Sequence, residues 1–181
     1  MPAPATNTVA RRPRRDGGVT LTEVLAVMVI TAILAGTAVP AIGSITNTRE
    51  EMAKNQLLRD LSFARQYAMA TGRITWVEFD EAGESYDVLA EDPSNPGKAN
   101  ALAITDPATG RDFTQTLDVD SFVGVEILAA TFDTGDDVGF DWIGRPLNDT
   151  GAEMTAATGS VTLTGGKSVT IVKATGYMYG S

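Results

Sequence analysis

The sequence predicts an α+β protein in which one long N-terminal helix packs on an antiparallel β domain of one sheet or two. No charged residue lies between Glu23 and Arg49, and a helical pattern continues to Thr71. After Gly72 the pattern changes to short β-branched and aromatic runs separated by turn residues. Helical and strand signals that are segregated along a chain are typical of the α+β class.

The apolar stretch 19–45 is long enough to cross a bilayer, since a membrane helix needs about 20 apolar residues. It follows a short leader, residues 1–18, that contains four arginines and one aspartate. Arginines beside a span predict that the leader stays in the cytoplasm. Nucleic-acid binding by the RRPRR cluster is the alternative, and topology explains the cluster more simply.

Two residues are unusual in such a span. Glu23 is a carboxylate near its start, and a charged side chain at the centre of a membrane helix costs about 2.5–3.5 kcal/mol. Pro40 removes a backbone donor and tends to kink or locally melt a helix, a bend that Gly36 would favour.

The arginine-rich leader, Gly18 and the VTLTE sequence resemble the N-terminal signal of type IV pilins and of type II secretion pseudopilins. The resemblance implies that prepilin peptidase cleaves between Gly18 and Val19 and methylates the new N-terminus of Val19. It also implies that Glu23 and Pro40 are the family's assembly glutamate and helix-breaking proline. Val19 replaces the usual phenylalanine, and Thr22 replaces the usual aliphatic residue.

Electrostatics supports an assembly role for Glu23. A free α-amino group on Val19 has an ordinary pKa of about 7.7–8.0, so much of it is cationic at neutral pH. This amine, from the same chain or a neighbour, would compensate a buried carboxylate. An ordinary signal peptide cleaved near Val39–Ala41 and an uncleaved signal anchor are alternatives that leave the Gly18–Glu23 spacing unexplained.

The helical period of apolar residues in the range 46–72 predicts the amphipathic half of the helix, which ends at Gly72. Its apolar face should pack on a sheet, while its polar side chains face water. The complete helix predicted over residues 19–71 would be about 80 Å long, a length that suits a filament subunit. The predicted apolar positions are Leu57, Leu58, Leu61, Ala64 and Ala68, and the predicted exposed ones are Arg59, Asp60, Arg65 and Gln66.

The β domain is predicted to span residues 73–181. Runs 74–80 and 85–90 predict a hairpin whose turn uses Gly83 at positive φ, and 122–132 and 138–143 predict further strands. Runs 160–164 and 167–174 predict a hairpin with a two-residue primed turn, Gly165-Gly166. The stretch 91–121 predicts a long loop, either a partner-binding loop or a tolerated insertion.

The passage LLRDLSFARQYAMATGRITWVEFD, residues 57–80, resembles H-type minor pseudopilins and their FimT-like relatives. This resemblance implies a minor subunit whose partners are prepilin peptidase, other pilin or pseudopilin subunits and an inner-membrane assembly platform. It also implies a single-pass inner-membrane protein with a periplasmic C-terminal domain, which later joins a periplasmic filament for type II secretion or type IV pilus biogenesis.

Composition argues against catalysis and against nucleic-acid binding. The 181 residues include neither Cys nor His, so zinc sites, disulfides and Ser-His-Asp triads are excluded. We therefore expect neither enzymatic activity nor a cofactor. Removing the leader's four Arg and one Asp from 14 basic and 23 acidic residues leaves a charge of −12, which disfavours polyanionic partners.

Two further features have alternative interpretations. Asp133, Asp136 and Asp137 are weak candidates for a Ca²⁺ site, although an acidic turn explains them more simply. Tyr177 and Tyr179 form either a contact patch or aromatic residues that close a sheet edge.

The predicted function is a minor pseudopilin-like structural subunit. The alternative is a membrane-anchored exported binding or sensor domain that forms no filament and uses the 91–121 loop. A hydrolase with paired carboxylates is a third possibility, but no motif marks such a pair.

Overall fold

The structure is a computed structural model that describes residues 18–133 and 135–181, without the side chains of 36–44. Contacts divide the chain into one unit that ends at Ala41 and a second unit, Ile42–Ser181. The elements are α1 Leu21–Thr71, β1 Thr75–Asp80, β2 Ser85–Ala90, β3 Leu102–Ala103, β4 Thr114–Thr116, β5 Ile127–Thr131, β6 Val138–Phe140, β7 Pro146–Leu147, β8 Thr158–Leu163, β9 Ser168–Val172 and β10 Tyr177–Gly180.

The strands form two antiparallel sheets, which confirms the α+β prediction. The first sheet has the order β3-β2-β1-β6-β7, with β4 also paired to β2. The second sheet has the order β10-β9-β8-β5. Buried side chains from α1 and from both sheets form one core, which includes Leu57, Leu61, Val77, Val88, Phe132, Phe140, Val161 and Ile171.

The amphipathic part of α1 buries the face that the sequence predicts. Leu57, Leu61, Ala64 and Ala68 are each at most 1% exposed. The helix ends where expected, because the N–H of Gly72 donates to the carbonyl of Ala68 and Gly72 has φ 71°. The prediction that Asp60 faces water is wrong, since Asp60 is buried beneath the hydroxyl of Tyr86.

The β1–β2 hairpin has the predicted strands but a different turn. Glu84, not Gly83, takes the positive φ, at 49°. The Asp80 carboxylate instead folds over the turn and accepts the N–H groups of Ala82 and Gly83 at 3.1 and 2.9 Å. A Cβ on Gly83 would lie 2.4 Å from that carboxylate, so glycine is needed for close approach rather than for its φ.

The same turn connects the two sheets. The Glu84 carboxylate accepts the backbone N–H of Ile127 at 2.5 Å, and the Glu81 carboxylate accepts that of Ala130 at 2.8 Å. Both N–H groups belong to β5, an edge strand of the second sheet. Side chains from a turn of the first sheet therefore occupy backbone donors on the edge of the second.

The segment 91–121 is not the long loop predicted. Its two short strands, β3 and β4, both pair with β2. A 3₁₀ helix, Lys98–Asn100, precedes β3, and Lys98 forms ion pairs with Asp137 and Glu78. The available edge of β2 and these ion pairs give the segment partners that its turn-rich composition does not reveal.

The strands predicted at 122–132 and 138–143 are shorter than expected. A 3₁₀ helix occupies Asp120–Phe122, and the Asp118 carboxylate accepts the N–H of Gly124, so β5 begins only at Ile127. Strand β6 ends at Phe140 because the Asp141 carboxylate accepts the N–H groups of Ile143 and Arg145. Side-chain acceptors end both strands.

The β8–β9 hairpin has a three-residue loop rather than a two-residue turn. Gly165 and Gly166 take the predicted positive φ, 75° and 72°. However, the N–H of Leu163 donates to the carbonyl of Lys167, which places Thr164 in the loop. Thr164 leaves the β9 ladder because its N–H and hydroxyl bond the backbone of Glu126 instead.

Candidate processing and assembly site

The segment 18–23 forms the start of helix α1. The hydroxyl of Thr20 accepts the N–H of Glu23 at 3.3 Å, and the carbonyl of Thr20 accepts the N–H groups of Glu23 and Val24. This is the N-cap geometry, in which a Thr side chain bonds a donor that the first helical turn leaves free. The T-x-x-E spacing therefore fixes the helix start and places Glu23 in its first turn.

The cleavage junction predicted by the resemblance is accessible in the chain. Gly18 and Val19 precede the helix, Val19 is 71% exposed, and a Cβ placed on Gly18 would meet no atom within 4 Å. No steric contact in the described residues therefore explains why residue 18 is glycine. Selection by an external enzyme would explain it, and the cleavage and methylation assignments stay predictions.

Two features of the structure bear on why residue 23 is a glutamate. As an exposed carboxylate in the first helical turn, it interacts favourably with the helix dipole, typically by about 0.3–1 kcal/mol. It also lies at the start of an apolar helical surface that is exposed among the described residues. Leu21, Leu25, Val27, Met28, Ile30, Ile33 and Leu34 are all more than half exposed.

Pro40 lies within α1, which is assigned as helix from Leu21 to Thr71. The side chain of Pro40 is outside the description, so the role predicted for it in assembly stays a prediction. No helix in the described residues, 18–133 and 135–181, is both long and apolar enough for a membrane crossing. The predicted span 19–45 includes residues 36–44, which lie outside the described side chains, and it also stays a prediction.

The three aspartates proposed as weak Ca²⁺ candidates have separate structural roles. Asp133 accepts the N–H groups of Thr155 and Ala156, both at 2.6 Å, and these bonds lower its pKa. Asp137 is buried, accepts the N–H of Phe79 and pairs with Lys98. Asp136 is exposed. Within the described ranges, no three carboxylates converge where they could hold a metal ion.

Sequence reasoning missed the buried network around Asp60. The Asp60 carboxylate accepts the hydroxyl of Tyr86 at 2.5 Å and the side-chain amide of Gln56 at 2.9 and 3.0 Å. Burial raises the pKa of Asp60, and the hydrogen bonds from these two donors offset only part of that increase. The spacing of Gln56 and Asp60, one helical turn, was visible in the sequence, but the partner Tyr86 lies on another element.

Comparison with known proteins gives one match to the sequence of the N-terminal segment and one match to the fold. A family model described as the prokaryotic N-terminal methylation motif matches residues 13–39, which include Gly18, Val19 and Glu23. Among solved structures, the minor pseudopilin EpsH from the Type 2 Secretion System of Vibrio cholerae matches with a TM-score of 0.52 at 8% identity. The match covers 74% of this chain and 96% of that one. No curated protein matches the chain by sequence.

The two matches rest on different evidence. The motif depends on sequence in the N-terminal segment, whereas the structural match has so little identity that it concerns the fold alone. Together they show that the chain carries the prokaryotic N-terminal methylation motif and has a fold similar to that of a minor pseudopilin.

Proposed function

We propose that the chain is a minor pseudopilin-like subunit, processed by prepilin peptidase and assembled into a periplasmic filament for type II secretion or type IV pilus biogenesis. The observation that carries this proposal is the capped helix start, residues 18–23, which leads directly into an uncovered apolar helix. A pilin-like subunit needs both features, because its N-terminus is cut at the glycine and its helix bundles with those of its neighbours.

The proposed location follows from the same segment. Before assembly the chain is a single-pass inner-membrane protein, with its arginine-rich leader in the cytoplasm and residues 73–181 in the periplasm. Its partners are prepilin peptidase, other pilin or pseudopilin subunits and the inner-membrane assembly platform. The domain acts structurally in this proposal, without a catalytic residue or a cofactor.

Processing is tested by intact mass and N-terminal sequencing of the protein from cells with and without prepilin peptidase. We expect a chain that starts at Val19, one methyl group heavier, only with the peptidase. Gly18→Ala should leave the leader attached. A chain that starts at Met1 in every strain, or near Ile42, would contradict the proposal and favour an exported domain on a different kind of signal.

The role of Glu23 is tested by separating helix capping from assembly. Thr20→Ala removes the hydroxyl that caps the helix, whereas Glu23→Gln keeps the helix cap and removes the negative charge. We expect Thr20→Ala to enter filaments, and Glu23→Gln to be processed but excluded from them. Pelleting of cross-linked filaments measures how much of each variant enters them. Equal behaviour of the two variants would show that Glu23 acts only at the helix start.

A further inference from the structure

A cavity of about 390 Å³ lies between helix α1 and the loop that joins β3 to β4. Asp60 lies on the helix side of this cavity and is only 5% exposed. Its carboxylate is therefore covered, although it borders a space wide enough to hold several water molecules. The loop contributes the segment 106–109 to the lining, and the helix contributes Gln56, Arg59, Asp60 and Phe63.

The loop that faces the helix is a closed hairpin, residues 105–112, which we call the flap. Thr105 and Asp112 pair with each other at its base. The Asp106 carboxylate accepts the backbone N–H of Ala108 at 2.8 Å and a threonine hydroxyl of the flap at 2.7 Å. Because these bonds stay within the flap, its residues can move together as one body.

The flap is anchored at its base but not at its tip. Ile104 and Phe113, which flank it, are buried in the core, and the N–H of Phe113 donates to the carbonyl of Ile104 at 2.7 Å. The ring of Phe113 stacks on that of Phe63, with centroids 5.3 Å apart. In the part of the chain that the structure describes, neither a hydrogen bond nor an ion pair joins residues 105–112 to α1. A fixed base and an untied tip allow the flap to open as on a hinge.

The hydrogen bonds of Asp60 come from elements other than the flap. Tyr86 of β2 donates its hydroxyl to the carboxylate, and Gln56 of α1 donates its side-chain amide. Burial raises the pKa of Asp60 despite these donors, because a site without water disfavours a charged carboxylate. Burial also raises the pKa of the Tyr86 hydroxyl, which therefore stays a donor. Opening the flap would keep both donors and replace burial by contact with water.

Two other charged side chains line the cavity. Asp106 faces it from the flap, and hydrogen bonds within the flap lower the pKa of Asp106, so this carboxylate is already ionised where Asp60 titrates. Arg59 lies on the helix side and is exposed. A charge on Asp60 is attracted by Arg59 and repelled by Asp106, and of these two only Asp106 moves with the flap. Arg111 and Asp112 of the flap are exposed and lie outside the lining.

We propose that the flap opens away from α1 when the Asp60 carboxylate becomes ionised. The protonated side chain is neutral and tolerates burial, so the flap stays closed over it. The ionised carboxylate gains hydration when water enters the cavity, and repulsion from Asp106 acts in the same direction. The domain therefore presents a closed surface at acidic pH and an open one at higher pH. This device is independent of the filament role proposed above, because it involves neither Gly18 nor Glu23.

The absence of cysteine from the sequence allows nitroxide labels to be placed on the flap and on the helix. Ala108→Cys and Asn55→Cys, both at exposed positions, are combined in the full-length chain in detergent micelles. Electron paramagnetic resonance measures the label separation from about pH 3 to about pH 8. We expect a short separation at acidic pH and a longer one at higher pH. The matched control pairs Asn55→Cys with Leu102→Cys, which is exposed on β3 outside the flap, and its separation should stay constant.

Asp60→Asn tests whether this carboxylate is the trigger. Asn does not titrate, so the labels on the flap and the helix should keep their acidic-pH separation at every pH in this variant. A separation that stays constant with pH in the chain that keeps Asp60 would overturn the proposal. A separation that changes equally in Asp60→Asn would also overturn it.

The pH midpoint of the opening provides a second test. Arg59→Gln removes a cation that stabilises the ionised Asp60, so the midpoint should move to higher pH. Arg111→Gln is the matched control, because it removes another exposed cation that lies outside the cavity lining, and it should leave the midpoint in place. Equal shifts in the two variants would show that the overall charge of the domain drives the change, which contradicts a trigger at Asp60.

Discussion

Helix α1 uses the same residue types in two opposite ways in the two units of the chain. In the first unit, Leu21, Leu25 and Leu34 are 86%, 59% and 61% exposed, whereas in the second unit Leu57 and Leu61 are 1% and 0% exposed. A leucine in this helix is therefore either buried in the core of the domain or left exposed. Periodicity identifies the helix in both units, but only the structure shows which leucines the chain itself covers.

Two acidic residues of the helix follow the same division. Glu23 is exposed and lies in the first turn. Asp60 is buried and bonded to Tyr86 and Gln56. The carboxylate of Glu23 is therefore exposed, whereas that of Asp60 is hydrogen-bonded within the domain. Variants of buried residues, each beside an exposed control, test this comparison.

The largest effect should come from Leu61→Ala. Removing a fully buried leucine typically costs about 2–5 kcal/mol in the free energy of unfolding, and Leu61 is fully buried. Urea unfolding followed by tryptophan fluorescence measures the change. Leu25→Ala in the exposed unit is the matched control, and it should leave the unfolding midpoint unchanged. A similar loss in both variants would remove the distinction between the two units.

Gly165→Ala should cost somewhat less, about 1–3 kcal/mol, because alanine at positive φ is strained and its Cβ would lie 1.9 Å from the Glu50 carboxylate. Gly166→Ala is the control, since its φ is also positive but its Cβ would meet no atom within 4 Å. The difference between the two unfolding free energies isolates the contact of the hairpin with the helix. Equal losses would show that strain alone decides.

Tyr86→Phe should destabilise the domain by about 1–3 kcal/mol at neutral pH, because the buried Asp60 carboxylate loses the Tyr86 hydroxyl and keeps only Gln56 as a side-chain donor. Tyr177→Phe removes a hydroxyl from an exposed ring and should have no measurable effect. Thermal unfolding of both variants beside the wild type gives the comparison. An unchanged midpoint for Tyr86→Phe would mean that Asp60 finds another donor.

The smallest effect is a pH dependence that Asp60→Asn should remove. Burial raises the pKa of Asp60 above its ordinary value of 3.8, so the folded state keeps this proton to higher pH than the unfolded state. Its stabilising contribution is therefore complete below pH 3.8 and is lost as the pH rises through the folded-state pKa. Asn does not titrate. Unfolding free energies from about pH 3 to about pH 7 should favour the wild type most at the acidic end.

Other carboxylates act in the opposite direction, so only the difference between the two proteins is informative. For Asp141, burial alone would raise the pKa, but hydrogen bonds from Arg145 and Ile143 outweigh burial and lower it. Its contribution is present above the ordinary pKa and is lost as the pH falls. A difference between wild type and Asp60→Asn that stays constant with pH would show that Asp60 does not titrate in this range.

Local patterns predicted the helix and the main strands, because they depend on periodicity and turn residues. The buried stripe of Leu57 and Leu61 and the β1–β2 hairpin are examples. Features that depend on distant partners were not predictable. Asp60 is buried only because Tyr86 is opposite it, and β3 and β4 form only because β2 offers a free edge.

The candidate site shows the same limit in a different way. The Gly18–Glu23 spacing was recognisable from sequence, since a peptidase would recognise it as a linear segment. Tyr177 and Tyr179 were noted from the sequence, and their rings stack with centroids 6.0 Å apart. The hydrogen bonds of Arg65 to the carbonyls of Gly144 and Thr175 were not predictable, because these residues are distant in the sequence.

The carboxylates of Glu81 and Glu84 have a consequence for any crowded array of these domains. Edge strands with free backbone donors invite pairing with strands of other molecules, which leads to fused sheets and aggregation. On β5 two such donors, those of Ile127 and Ala130, are already occupied. Strand pairing through this edge of β5 is therefore disfavoured when copies are brought to high local concentration.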